Sequence, residues 1–151
     1  MYKKILVPLD CSALAECALP HVEGLAKGRQ GVEVVLLKVI EVEVYPIPKA
    51  YARSFDFGAL RKAYLTEAGQ YLEDVKTRLG AAGINAKAVM LEGKPDQVIT
   101  DYARQNGVDL IVIATHGYTG MKQLMLGSVA LKVLHDSPVP ILLIRPEFPP
   151  E

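Results

Sequence analysis

The sequence predicts an α/β fold: a doubly wound, five-stranded parallel sheet with helices on both faces. Three observations carry that expectation. Strand-like and helix-like stretches alternate from one end to the other, in the order β-α-β-α-β-α-β-α-β. The stretch from Val32 to Ile40 is β-branched and nearly continuous, as suits a parallel strand covered on both faces rather than one. Glycine or proline punctuates the junctions. Strict alternation with right-handed crossovers returns every strand to one parallel sheet and places helices on both sides of it.

The elements follow in order. Residues 3–9, Lys-Lys-Ile-Leu-Val-Pro-Leu, form a short buried strand ended by Asp10-Cys11-Ser12. Ser12 is placed to cap a helix over residues 13–27, in which Leu14, Cys17, Ala18, His21, Val22 and Leu25 recur at helical spacing. Gly28 and Gly31 close it, and the second strand spans residues 32–40. Residues 41–56 hold two prolines and scattered aromatics, a connection long enough to be a candidate lid. A long helix over residues 57–79 carries Leu60, Tyr64, Ala68, Tyr71, Leu72, Val75 and Leu79 on one inward stripe.

Residues 85–91 form the third strand, and Glu92-Gly93-Lys94-Pro95 turns into a third helix with Pro95 at its start. That helix turns Val98, Ile99, Tyr102 and Ala103 inward and stops at Asn106-Gly107. Leu110–Ala114 is the fourth strand. The fourth helix runs from about Gly127 to His135 and is broken by Ser137-Pro138. Residues 139–144, from Val139 to Ile144, form the fifth strand. Residues 1–146 thus make one domain, with a Pro-rich tail over residues 147–151.

Composition narrows the function. The chain has 151 residues, half of them hydrophobic, enough for one domain with a real core. Its 17 basic and 17 acidic residues balance, so the basic face of a nucleic-acid binder is not expected. No apolar run reaches the roughly 18 residues of a membrane span, and the start Met1-Tyr2-Lys3-Lys4 has no cleavage pattern. Cys11 and Cys17 make neither a disulfide framework nor a zinc site. A soluble cytoplasmic protein without a metal centre of its own is the expectation.

In doubly wound sheets, ligands bind beyond the carboxyl ends of the strands, where the strand order reverses. Four segments emerge at that edge: Asp10-Cys11-Ser12, Lys38-Val39-Ile40-Glu41, Gly93-Lys94-Pro95, and residues 115–128. The last is the most informative. A buried strand breaks into the polar loop Thr115-His116-Gly117-Tyr118-Thr119-Gly120 and ends at Gly127-Ser128, which opens a helix. Backbone N–H groups and the positive end of the helix dipole converge there, as an anion requires. The loop is no P-loop, which needs G-x-x-x-x-G-K-[ST], and no G-x-G-x-x-G follows the first strand.

These residues resemble the universal stress protein family over nearly the whole chain. The segment Ile5-Leu6-Val7-Pro8-Leu9-Asp10-x-Ser12 is similar to that family's first strand and turn. Gly93-x-Pro95 is similar to its third-strand turn, and Thr115-His116-Gly117 with Leu126-Gly127-Ser128-Val129 and Val139-Pro140-Ile141-Leu142-Leu143-Ile144 to its C-terminal half. Its nucleotide-binding branch carries G-x2-G-x9-G-[ST]. Gly117, Gly127 and Ser128 match, and Ala114 stands at the first glycine. If that backbone needs positive φ, the Cβ of Ala114 costs about 1 kcal/mol or more. If Ala114 only ends the strand, it costs nothing.

The resemblance implies a Rossmann-like fold of the adenine-nucleotide alpha hydrolase-like type. It implies ATP, or ADP or AMP, with Mg2+ as an accompanying ion, and a homodimer formed through the fifth strand. Asp10 and the backbone near Val39 would contact adenine and ribose, and Gly117, Gly127 and Ser128 the phosphates. Ser12 completes the expected set, with Pro8, Leu9, Gly93, Ala114, His116, Gly120 and Val129 in a wider ring.

Plainer roles compete for several residues. Gly117 and Gly120 taken alone are turn glycines. His116 reads first as a structural loop histidine, and no catalytic residue is assigned. His21 is a helix-face residue, and His135 sits where a helix dipole favours a cation. Cys11 borders the expected site, but a lone thiol is inert unless its pKa is lowered. Lys122 reads as solvated, and Met121 and Met125 as packing. The leading expectation is a nucleotide-responsive regulator with at most slow hydrolysis. The alternative is a dimeric interaction module of the same fold that binds no nucleotide and works through its dimer surface and the 41–56 loop, with an unknown protein as its partner. A fast ATP-hydrolysing enzyme is disfavoured, since no activated nucleophile is visible.

Overall fold

The computed structural model describes residues 1–41, 50, 56–116 and 126–147. Five strands form one sheet: β1 (Lys4–Pro8), β2 (Glu33–Ile40), β3 (Asn85–Glu92), β4 (Leu110–Ala114) and β5 (Ile141–Ile144). Their spatial order is β3-β2-β1-β4-β5, and every pairing is parallel. The chain winds outward from β1 to β3, then returns to the other side of β1 for β4 and β5. The strand order therefore reverses between β1 and β4. Asp109 pins that junction: its carboxylate accepts from the backbone N–H of Lys3 at 2.8 Å and of Lys4 at 3.2 Å.

Four helices cover the sheet: α1 (Leu19–Ala26), α2 (Phe57–Ala81), α3 (Pro95–Gln105) and α4 (Ser128–Asp136). Two separate cores result, because successive strand residues point to opposite faces. Ile5, Val7, Val34, Leu36 and Val112 pack under α1 and α2, with Val22, Leu72, Val75 and Leu79. Leu6, Val35, Leu37 and Ile111 pack under α3 and α4, with Ile99, Ala103 and Val133. The central strands are thus buried on both faces, as their uninterrupted apolar composition predicts. Among the described residues, no helix is long and apolar enough to cross a membrane.

Three boundaries differ from the sequence reading, each for a physical reason. The helix expected from residue 13 begins as a 3₁₀ turn at Ala15–Ala18 and becomes α-helical only at Leu19. Pro20 has no N–H to give to a preceding turn, so it is accommodated in the first turn of α1. Ser12 still serves the entry, its Oγ accepting the Ala15 N–H at 3.2 Å. The fifth strand starts at Ile141 rather than Val139, since Pro138 and Pro140 cannot donate to a ladder. The stripe on α2 is inward only in part. Ala68, Leu72, Val75 and Leu79 are buried, while Leu60 and Tyr64 are 56% and 47% exposed. The helix is about 38 Å long against about 27 Å for an eight-residue strand such as β3, so it outruns the sheet that backs it. The expected lid over residues 41–56 lies almost wholly outside the described residues.

Gly93 closes the turn after β3, its N–H donating to Ile40 O at 3.0 Å. Its φ of +143° disfavours any side chain, and a Cβ there would stand 2.7 Å from Val98 Cγ2. Gly93→Ala is expected to lower stability by about 2–3 kcal/mol. Chemical denaturation measures this, and Val98→Ala in the same chain should recover the contact part of the loss but not the backbone part. An unchanged denaturation midpoint would disprove the assignment.

Candidate functional site

A cavity of about 660 Å³ opens at the carboxyl edge of the sheet, over the point where the strand order reverses. Its volume lies within the roughly 300–1,000 Å³ typical of small-molecule sites. Three walls define it: the turn after β1, the end of β2, and the junction from β4 to α4.

The turn after β1 aims a carboxylate. Leu9 N–H donates to Leu37 O at 2.9 Å, carrying β1's ladder one step beyond the strand. Asp10 follows, and its Oδ1 accepts from Ser12 N–H at 2.9 Å and from Ser12 Oγ at 2.5 Å. This Asx turn fixes the Asp10 side chain at the cavity wall. Cys11 lies between them at φ +69°, a left-handed conformation uncommon outside glycine, asparagine and aspartate. Cys11 also lines the cavity.

The end of β2 contributes both backbone and side chain. Parallel strands direct the N–H and C=O of alternate residues to opposite neighbours. Leu37 O points toward β1, because it accepts from Leu9. The N–H and C=O of Val39 therefore point the same way, and β1 has already ended at Pro8. They form a donor–acceptor pair at the cavity, as an adenine edge needs. Lys38 faces the opposite side of the sheet, toward α2, and its Nζ lies 6.0 Å from the centre of the Tyr64 ring. Glu41, just past the strand, completes this wall.

The third wall is the entry to α4. Ala114 ends β4, is buried, and pairs with Ile144. Among the described residues, Cys11 is the only non-glycine at positive φ, so Ala114 needs no glycine conformation. Gly127 caps α4 at φ −60°. Its N–H donates to Thr115 O at 2.7 Å, and a Cβ on Gly127 would lie 3.1 Å from that oxygen. The glycine is thus favoured by the close approach of two chain segments, since a side chain would make the Thr115 carbonyl give way by a few tenths of an ångström. That approach brings the N–H groups of Ser128, Val129 and Ala130, the first turn of α4, to the cavity. His116 is buried beneath, its Nδ1 within 2.8 Å of Thr115 Oγ1.

The structure therefore brings together Pro8, Leu9, Asp10, Ser12, Val39, Ala114, His116, Gly127, Ser128 and Val129 of the expected residues. Gly93 does not line the cavity; Pro95, two residues on, does. Gly117 and Gly120 lie outside the described residues. Lys38, Glu41 and Thr115 appeared in the sequence only within the edge segments, and Tyr64 and Ile99 only as packing positions on helices, yet all five line the cavity. Lys38 left a signal there, as the one cation within the apolar run from Val34 to Ile40. Among the described residues, no cluster of three or more metal-ligating side chains is present.

The cavity thiol is not activated. Burial pushes Cys11 up, Lys38 opposes this, and Asp10 and Glu67 add to the rise. Burial raises Cys17 as well. A raised pKa leaves less thiolate near neutrality, so alkylation by iodoacetamide at about pH 7.5 should run several-fold slower than in the denatured chain. The rate should climb as pH rises through the alkaline range. Equal rates in folded and denatured protein would contradict this.

Comparisons with known proteins agree with the fold. The family model described as universal stress protein family matches residues 1–145. Universal stress protein MJ0577 of Methanocaldococcus jannaschii is 34% identical over 156 residues, covering 96% of both chains. A solved structure of MJ0577 superposes with a TM-score of 0.83, covering 97% of this chain and 98% of that one. Universal stress protein YxiE of Bacillus subtilis is 32% identical, covering 96% of this chain and 100% of its own. Two more distant structures, each 18% identical, share the fold: a universal stress protein in complex with cAMP, at a TM-score of 0.65 over 97% of this chain and 98% of that one, and an Arabidopsis thaliana family protein with AMP bound, at 0.66 over 96% and 92%. On the family-model match and these identities, the chain belongs to the universal stress protein family.

Proposed function

We propose that this chain is a cytoplasmic regulator that binds an adenine nucleotide, ATP foremost, in the cavity between Asp10 and α4. The observation that carries the reading is a convergence. One cavity receives a fixed carboxylate, a backbone donor–acceptor pair at Val39 directed past the end of β1, and the N-terminus of a helix. Adenine would take the Val39 pair, and Asp10 would accept from ribose hydroxyls. The first-turn N–H groups and hydroxyl of Ser128 would hold phosphate, with Gly117 and Gly120 as loop donors. The cAMP and AMP complexes of fold neighbours support the choice of nucleotide. Mg2+ fits the site as an ion brought by the phosphates, with Asp10 as a carboxylate partner, since Mg2+ commonly takes one or two carboxylates plus phosphate oxygens. Hydrolysis, on this reading, is at most slow.

Titration calorimetry with Mg-ATP tests the reading. A dissociation constant on the order of 1–100 μM is expected, about −5.5 to −8 kcal/mol of binding free energy. No heat at millimolar ligand from protein stripped of nucleotide would overturn it.

The same proposal includes a homodimer through β5. That strand is the sheet's edge, with Leu142 outward and 36% exposed, and an uncovered edge invites pairing. Sedimentation should show a dimer, and Leu142→Lys should shift it to monomer. A wild-type monomer at micromolar concentration would remove the dimer from the account.

A further inference from the structure

The cavity is electrically polarised along the ligand it would hold. At one end stands the first turn of α4, whose N–H groups have no acceptor within the helix and carry the positive end of its dipole. At the other end stands the Asp10 turn. The charged groups acting on Cys11, the residue inside that turn, are Lys38, Asp10, Glu67 and Glu16. Glu16 is held in an ion pair with Arg78. Lys38 faces α2, its Nζ 6.0 Å from the centre of the Tyr64 ring, on the side of the sheet away from α4. Glu41 adds a further acid to the cavity wall. Among the described residues, acids therefore outnumber bases around the turn, and this end favours a neutral donor over an anion.

Asp10 sharpens that preference. An ionised carboxylate only accepts hydrogen bonds, so a group lying against it must donate. Its Oδ1 takes the Ser12 N–H at 2.9 Å and the Ser12 hydroxyl at 2.5 Å, and these two bonds keep the carboxylate from swinging away. A ribose with free 2′ and 3′ hydroxyls meets the requirement. A phosphate on the 3′ oxygen removes one donor and sets an anion beside the carboxylate, where like charges repel. A 5′-phosphate is different, because an exocyclic carbon carries it. It can lie at α4, over β4, while the diol stays at Asp10, over the neighbouring strand β1 about 4.8 Å away. A 3′,5′-cyclic phosphate is tied to both oxygens and cannot leave the diol.

We propose that Asp10 is a specificity-determining residue, and that it makes the cavity select 5′-nucleotides with a free 2′,3′-diol and reject 3′,5′-cyclic AMP. The inference rests on the nucleotide reading above and names the form of nucleotide within it. The lost donor and the added repulsion act together against the cyclic form, so the effect is a ratio of affinities rather than adenine binding as such.

Calorimetric titration with AMP and with 3′,5′-cyclic AMP provides the test. It uses the full chain stripped of nucleotide and free of divalent cations, so that no metal ion bridges phosphate and carboxylate. AMP should bind about 30-fold or more tightly than the cyclic form. ADP replaces AMP should AMP be too weak to titrate. In Asp10→Asn the amide carries no charge and can itself donate. AMP should therefore weaken while cyclic AMP holds or improves, and the ratio should fall about tenfold. Circular dichroism identifies a variant that fails to fold, in which case Asp10→Ser is the substitute and the wild-type ratio still decides. Equal affinities in the wild type would overturn the inference and leave the nucleotide reading standing. A ratio that folded Asp10→Asn leaves unchanged would also overturn it. Silence of both ligands, and of Mg-ATP, would remove both.

Discussion

Asp10→Ala is expected to weaken adenine-nucleotide binding by about 10- to 100-fold. A hydrogen bond to a charged group contributes about 1.5–3 kcal/mol, and 1.4 kcal/mol is a factor of ten. Asp10 carries this weight because its orientation is fixed before any ligand arrives. Both the Ser12 N–H and the Ser12 hydroxyl donate to Oδ1, so ordering the carboxylate costs the ligand little. The same two bonds give the variant a structural cost of about 1 kcal/mol, as the turn loses its acceptor. Asp10→Asn separates the effects, because the amide oxygen still accepts from Ser12. It should retain most of the stability and lose most of the affinity. Calorimetry and thermal melting of the three proteins give the comparison, and unaltered affinity in both variants would take Asp10 out of the site.

Gly127→Val should act through the backbone instead. A Cβ at 3.1 Å from Thr115 O already forces a shift, and valine adds two methyl groups. The Gly127 N–H to Thr115 O bond, at 2.7 Å, is the tie that seats the first turn of α4 against the end of β4. Forcing them apart should cost about 1–3 kcal/mol of stability. It should also displace the N–H groups of Ser128 and Val129 from the cavity, for a loss of affinity of about tenfold or more. Denaturant unfolding measures the first effect and titration the second. Normal stability with normal affinity would mean that α4 does not depend on this contact.

The fold was legible in the sequence to the extent that it rests on pattern. The alternation of elements indicated the fold class, and the apolar runs located β1, β2 and β4, because strands covered on both faces have few polar positions to confuse the period. The errors fell where a local rule gave way to a neighbour. Pro20 displaced the start of α1, and Pro140 shortened β5. Leu60 and Tyr64 follow the α2 stripe yet stay largely exposed, Tyr64 reaching only the Lys38 side chain at the end of β2.

The site was legible by a different route. Asp10, Ser12, Gly127 and Ser128 are turn and cap residues, and such residues mark strand ends whatever the fold does later. Lys38 was not legible in the same way. One charged residue in a strand reads as a solvent-facing position, and only the packing of Tyr64 and the end of β1 shows that it faces a cavity. Gly93 shows the reverse. Its spacing suggested a ligand contact, whereas its φ and the nearness of Val98 explain the glycine without one. Gly127 gains a further reason beside the expected approach of a phosphate: the approach of the Thr115 carbonyl, a contact across the β4–α4 junction that sequence spacing cannot express.

The central claim, a nucleotide held between Asp10 and α4, is tested most directly by what the protein carries from the cell. The protein would be purified quickly without chelator or high salt, then denatured, and the supernatant analysed by mass spectrometry. The account predicts an adenine nucleotide approaching one equivalent per chain in the wild type and a strong reduction in Asp10→Ala. Equal amounts of nucleotide in the wild type and in folded Asp10→Ala would contradict it.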